Sequence, residues 1–76
     1  MNVRTYRLVL KREPEGGYTV TVPALPGCIT YGEDVDEAIA MAEEAIELYI
    51  EELQSRNEEI PDDSNTLEYS IHLNTA

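Results

Sequence analysis

The sequence has one cysteine and one histidine, and this scarcity removes several kinds of chemistry. A single thiol closes no disulfide within a chain and supplies no C-x-x-C pair for zinc. No apolar run approaches the roughly 18 residues that a membrane helix needs. The opening stretch, MNVRTYRLVLKRE, is too short and too charged to be a signal peptide. Basic residues are few: five against sixteen acids, for a formal net charge of −11. A field of that sign repels nucleic acid, whose binding draws on cationic contacts to phosphate. There is no P-loop, no G-x-G-x-x-G, no G-x-S-x-G and no calcium-loop run. These absences lead to an expectation of a soluble cytoplasmic protein that uses no cofactor and no metal, touches no membrane and binds no nucleic acid directly.

What is present is segregated. Residues 1–12 carry Arg4, Arg7, Lys11 and Arg12 and no acid, whereas residues 33–63 carry thirteen acids and one base, Arg56. An acidic face of this kind favours a basic partner. It also has plainer readings: a solvated face that keeps a small protein soluble, or a chain suited to a saline or hot cytoplasm. At 76 residues the chain makes one domain. A domain of this size buries only about 60% of the surface its unfolded chain exposes. Self-association, as a homodimer or higher homo-oligomer, is therefore an expected source of added stability.

The apolar pattern divides the chain into elements. From Val3 to Arg12, Tyr6, Leu8 and Leu10 alternate with Thr5, Arg7, Val9 and Lys11, which is the period of a half-buried strand. Glu13-Pro14-Glu15-Gly16-Gly17 is a hairpin loop, and Tyr18, Val20 and Val22 alternate with threonines in a second strand. Pro23 ends that strand, Pro26-Gly27 forms a turn of type II with Gly27 at positive φ, and a third strand covers about Cys28 to Tyr31. The period then changes. Val35, Ala38, Ile39, Ala42, Ala45, Ile46, Tyr49, Ile50 and Leu53 form one helical stripe, with Asp34 as N-cap, Glu37 completing a capping box, and an end near Gln54–Asn57. Finally Leu67, Tyr69, Ile71 and Leu73 alternate with Thr66, Glu68, Ser70 and His72, as a fourth strand would.

The expected fold is thus α+β with element order β-β-β-α-β. Its four-stranded mixed sheet has spatial order 3-2-1-4, reached by a right-handed crossover, with one helix on one face. In that order Cys28 and His72 lie on opposite edges, so a thiol–imidazole pair is not expected. A free cysteine is commonly a small buried hydrophobe. The acids Glu33, Asp34, Asp36 and Glu37 gather where the helix dipole favours them. No catalytic residue is assigned.

The run EGGYTVTVPALPGCITYGEDVDEAIAMAEEAIELYIEEL resembles the HicB antitoxin family. The resemblance is carried by Gly16, Gly17, Tyr18, Pro23, Leu25, Pro26, Gly27, Cys28, Gly32, Asp36, Glu37, Ala38, Ala45 and Tyr49. It implies a partial ribonuclease-H-like fold without nuclease activity. A basic, acid-free first strand is consistent with that, since the nuclease holds magnesium with an aspartate there. It also implies an antitoxin role: binding and neutralising a small, basic, RNA-cleaving HicA-type toxin. Residues 1–76 then form a single HicB-like domain without the C-terminal DNA-binding domain that many family members carry. The partner-binding residues expected on electrostatic grounds are Glu43, Glu44, Glu47 and Glu51, with Tyr18, Pro23 and Leu25 contributing shape. The alternative is a solitary HicB-like homo-oligomeric binding module whose partner is a different protein or a small ligand.

Overall fold

In the computed structural model, residues 3–76 are described. Three short strands, β1 (Val9–Arg12), β2 (Tyr18–Thr21) and β3 (Ile29–Gly32), form an antiparallel meander in the order β1-β2-β3. A 21-residue helix, α1 (Val35–Ser55), follows and packs across β2 and β3.

Each connection is closed by the chemistry of its turn. In the first hairpin Glu13 N–H donates to Gly17 O at 2.9 Å, and both Gly16 and Gly17 sit at positive φ. The VPALPGC loop closes on itself: Val22 N–H donates to Cys28 O at 3.0 Å. Inside it, Cys28 N–H donates to Leu25 O at 2.9 Å across Pro26-Gly27, and Gly27 has φ +83°. That is the expected type II turn.

Asp34 caps α1, its carboxylate accepting from Glu37 N–H at 2.8 Å. The Glu37 carboxylate reaches back one residue further than a capping box asks, to Glu33 N–H at 2.7 Å. The other end is a Schellman motif: Glu58 N–H donates to Leu53 O and Asn57 N–H to Gln54 O, with Asn57 at φ +56°.

Strand pairing decides which rows meet. Leu10, Val20 and Thr30 are cross-strand partners on the helix side; Val9, Thr21 and Ile29 form a row on the open side. The core has two connected parts. Val20 packs with Ala38 and Ala42 near the start of α1, and Val22, Leu25 and Cys28 pack with Leu53 near its end. Small alanines on the helix let it approach the sheet closely there.

The sheet has three strands, not the four expected, and the order 3-2-1-4 does not form. Two physical reasons account for this. Val9 pairs with Thr21, and beyond Thr21 the chain turns off into the VPALPGC loop, so the residues before Val9 have no ladder partner. The side of that same stretch that would face a longer β2 is taken instead by the loop after α1. Asp63 N–H donates to Thr5 O at 2.7 Å, the Asp63 carboxylate accepts from Arg7 N–H at 2.8 Å, and Arg7 Nη2 donates to Thr66 O at 2.6 Å. The clasp thus fills the place that β2 leaves beside residues 5–7 and holds the chain at Thr66 there, away from the outer edge of β1 on which a fourth strand would pair. Residues 66–73 remain outside any strand, and Leu67, Tyr69, Ile71 and Leu73 are exposed.

Candidate partner-binding surface

Helix α1 carries seven acids and no base. At about 100° per residue, Glu43, Glu44, Glu47 and Glu51 fall within one arc on the side away from Ala38, Ala42 and Leu53, which face the sheet. All four are exposed. Among the described residues the ion pairs are Arg56 with Glu52 at 3.5 Å and Arg56 with Glu58 at 2.8 Å, both at the helix end. The outward carboxylates therefore face water with no internal cation. Glu43, Glu47 and Glu51 repeat at i,i+4, a spacing at which like charges repel by roughly 0.2–0.5 kcal/mol per pair. The packing of the opposite face holds the helix against that repulsion.

Two apolar flanks border the acidic arc. Val35 and Ile39, placed by periodicity in the buried stripe, remain more than 40% exposed. On the other flank Met41 and Leu48 are exposed, outside the apolar stripe that the period defines. Their angular offset from the stripe was the available signal. The surface is thus a band of carboxylates edged with large apolar side chains, the composition of a polar contact that can also exclude water.

The remaining candidates do not join this face. Tyr18 is half-buried and packs beside Val20, Ala38 and Ala42. Pro23 is exposed at the far end of β2, on the VPALPGC loop. Leu25 lies in the same loop but is fully buried, packed with Val22, Cys28 and Leu53. The loop is tied to the helix by Tyr49, whose hydroxyl donates to Pro26 O at 2.7 Å. Tyr49→Phe keeps the ring and removes this bond, so it is expected to cost about 0.5–1.5 kcal/mol in urea unfolding. An unchanged midpoint would mean that the hydroxyl contributes nothing to holding the loop.

The titratable groups elsewhere are explained by their surroundings. Burial pushes the Cys28 thiol up, away from the reactive thiolate. Burial likewise raises the Tyr6 phenol, whose hydroxyl donates to Pro61 O at 2.6 Å. The Asp62 carboxyl is held below its usual range by the Ser64 hydroxyl and N–H, which donate to it at 2.8 and 3.2 Å. His72 is exposed, outside the sheet. Among the described residues no three metal-ligating side chains gather, no pocket opens, and no helix is long and apolar enough to cross a membrane.

Comparison with known proteins gives a consistent answer. The family described as the HicB_like antitoxin of bacterial toxin-antitoxin system matches residues 6–74. A UPF0150 protein of Thermoplasma acidophilum is 45% identical over 67 residues, 88% of this chain and 96% of the relative. A UPF0150 protein of Synechocystis is 41% identical over 59 residues, 78% of this chain and 75% of the relative. An uncharacterized 14.9 kDa protein from the rep-hol intergenic region of Haemophilus phage HP1 is 43% identical over 56 residues, which make up 74% of this chain and 41% of the phage protein.

Proposed function

Since the chain belongs to the HicB-like antitoxin family of bacterial toxin–antitoxin systems, we propose that it is a non-enzymatic cytoplasmic antitoxin. In this reading it neutralises a small, basic, RNA-cleaving toxin of HicA type by covering that toxin's cationic surface with the outer face of α1. The observation that carries this reading is the unpaired band of Glu43, Glu44, Glu47 and Glu51, set on a rigid helix and flanked by Ile39, Met41 and Leu48. An RNA-cleaving protein must attract phosphate, so its working surface is basic. An acidic helix competes for that surface with the same sign of charge. Exposed ion pairs add only about 0.2–1 kcal/mol each. The band therefore acts mainly by speeding and orienting encounter, while the apolar flanks supply the desolvated contact. Tyr18 and Pro23 contribute at the margins, and Leu25 acts from beneath by holding the shape of the loop.

The discriminating variant is Glu47→Lys. It turns two repulsive i,i+4 pairs, with Glu43 and Glu51, into attractive ones, so the fold is expected to gain about 1–2 kcal/mol. Association with the toxin is expected to slow by roughly tenfold or more at low salt, with the difference shrinking as salt rises. Stopped-flow association read beside thermal unfolding separates the two effects. A stabilised variant that binds the toxin as fast as the parent chain would remove the outer face of α1 from the interface.

A further inference from the structure

The segment that leaves the fold is patterned for pairing. Leu67, Tyr69, Ile71 and Leu73 recur at every second position and stand 94%, 90%, 70% and 77% exposed. Their row alternates with Thr66, Glu68, Ser70 and His72. Single exposed hydrophobic residues are ordinary; four in strand register on one arm are not. The arm, Thr66 to Asn74, spans about 30 Å when extended. It is anchored at its root, because Asp63 and Thr66 are clasped to Thr5 and Arg7. The radius of gyration, 14.5 Å, exceeds the roughly 11 Å of a compact chain of this length, as an arm carried away from the body requires.

The body offers a matching acceptor. β1 lies at the edge of the sheet, with β2 on one side and, among the described residues, no strand on the other. An edge left open is a template for another strand. Its helix-side row, Leu8 and Leu10, is only half-buried and lacks a neighbour on the outer side. Its other row carries Arg7, Val9 and Lys11. If the arm's apolar row joins Leu8 and Leu10, Glu68 falls on the same face as these cations. The patterns therefore agree in both hydrophobicity and charge.

We propose that the arm, residues 66–74, docks as an added strand on the β1 edge of a second copy of this chain, with the exchange made reciprocally. Each copy carries one arm and one β1 edge of matching pattern, so two copies exchange arms in a closed two-fold pair. Two arms of four large apolar side chains each, with the edges they cover, reach the ~1,200 Å² at which stable interfaces begin. This inference concerns the chain by itself and stands or falls independently of toxin binding.

Light scattering on the full chain without toxin, across a range of concentrations, is the test. A mass twice 8.6 kDa is expected for the parent chain. Ile71→Pro removes a ladder donor at an exposed position and is expected to weaken the pair by at least about tenfold. As a second readout, Val9→Cys and Ser70→Cys proteins, whose side chains fall on the same open face of the joined sheet, are mixed and oxidised; Cys28 is buried and can stay in place. A disulfide between the two different chains is expected. A parent chain that is monomeric throughout, whether its arm is free or folded on its own edge, would overturn the proposal. So would an Ile71→Pro protein that dimerises as tightly as the parent, or a mixture that forms no mixed disulfide.

Discussion

Gly32→Ala is expected to destabilise the fold by about 3 kcal/mol, the upper end of overpacking effects. The reason is proximity. A Cβ at Gly32 would lie closer than 3.0 Å to Ala38 N, Ala38 Cα and the Glu37 carbonyl carbon. All three atoms are backbone in the first turn of α1, so relief requires the helix start to lift from β3. That movement would loosen the packing of Ala38 and Ala42 on Val20, one of the two parts of the core. A domain stabilised by about 0.05–0.15 kcal/mol per residue loses a large share of its stability in such a change. Urea unfolding followed by far-ultraviolet circular dichroism would show it as a lowered midpoint. A midpoint equal to the parent's would mean that α1 can shift on the sheet without cost. Gly32 leads from β3 towards the cap at Asp34, but its smallness serves the helix–sheet contact.

Leu25→Ala is expected to cost about 2–5 kcal/mol, the range for deleting a fully buried leucine side chain. Leu25 is enclosed by the loop whose two turns are closed by Leu25 N–H donating to Val22 O and Cys28 N–H donating to Leu25 O. Val22, Cys28 and Leu53 surround it, with Ile46 and Tyr49 packed alongside. Truncation leaves a cavity at the point where loop, sheet and helix end meet. The prediction also assigns the residue's role in binding. Toxin affinity in Leu25→Ala should fall only as far as the folded fraction falls, and excess stabilising osmolyte should restore it. Affinity that stays low in a fully folded sample would place Leu25 in the interface after all.

Much of the fold is written locally in the chain. The period-two runs around Leu10 and Val20 and the period near 3.6 from Val35 to Leu53 mark three of the four elements, with α1 ending inside the expected window. Pro26-Gly27 at its type II turn and Asp34 at the helix cap follow from the few conformations those residues favour. The burial of Cys28 agrees with its reading as a packing residue. Parts of the candidate surface are equally legible: the outward position of Glu43, Glu47 and Glu51 follows from helix geometry once the alanines define the inner face. The exposed flanks are less so. Val35 and Ile39 are apolar at the correct period, yet a three-stranded sheet is too narrow to cover the full width of the stripe.

The fourth strand marks the boundary between the two kinds of information. The sequence by itself determined that residues 66–73 alternate, and so which row of side chains gains from burial. Only the tertiary structure decided that, among the described residues, nothing in the same chain covers that row. A period of two states a preference for pairing and is silent about the partner. The partner depends on contacts between residues far apart in sequence, here Asp63 and Thr66 with Thr5 and Arg7. Those few hydrogen bonds fill the place that β2 leaves beside residues 5–7, not the outer edge of β1. They carry the chain past β1 and leave both the edge and the arm open.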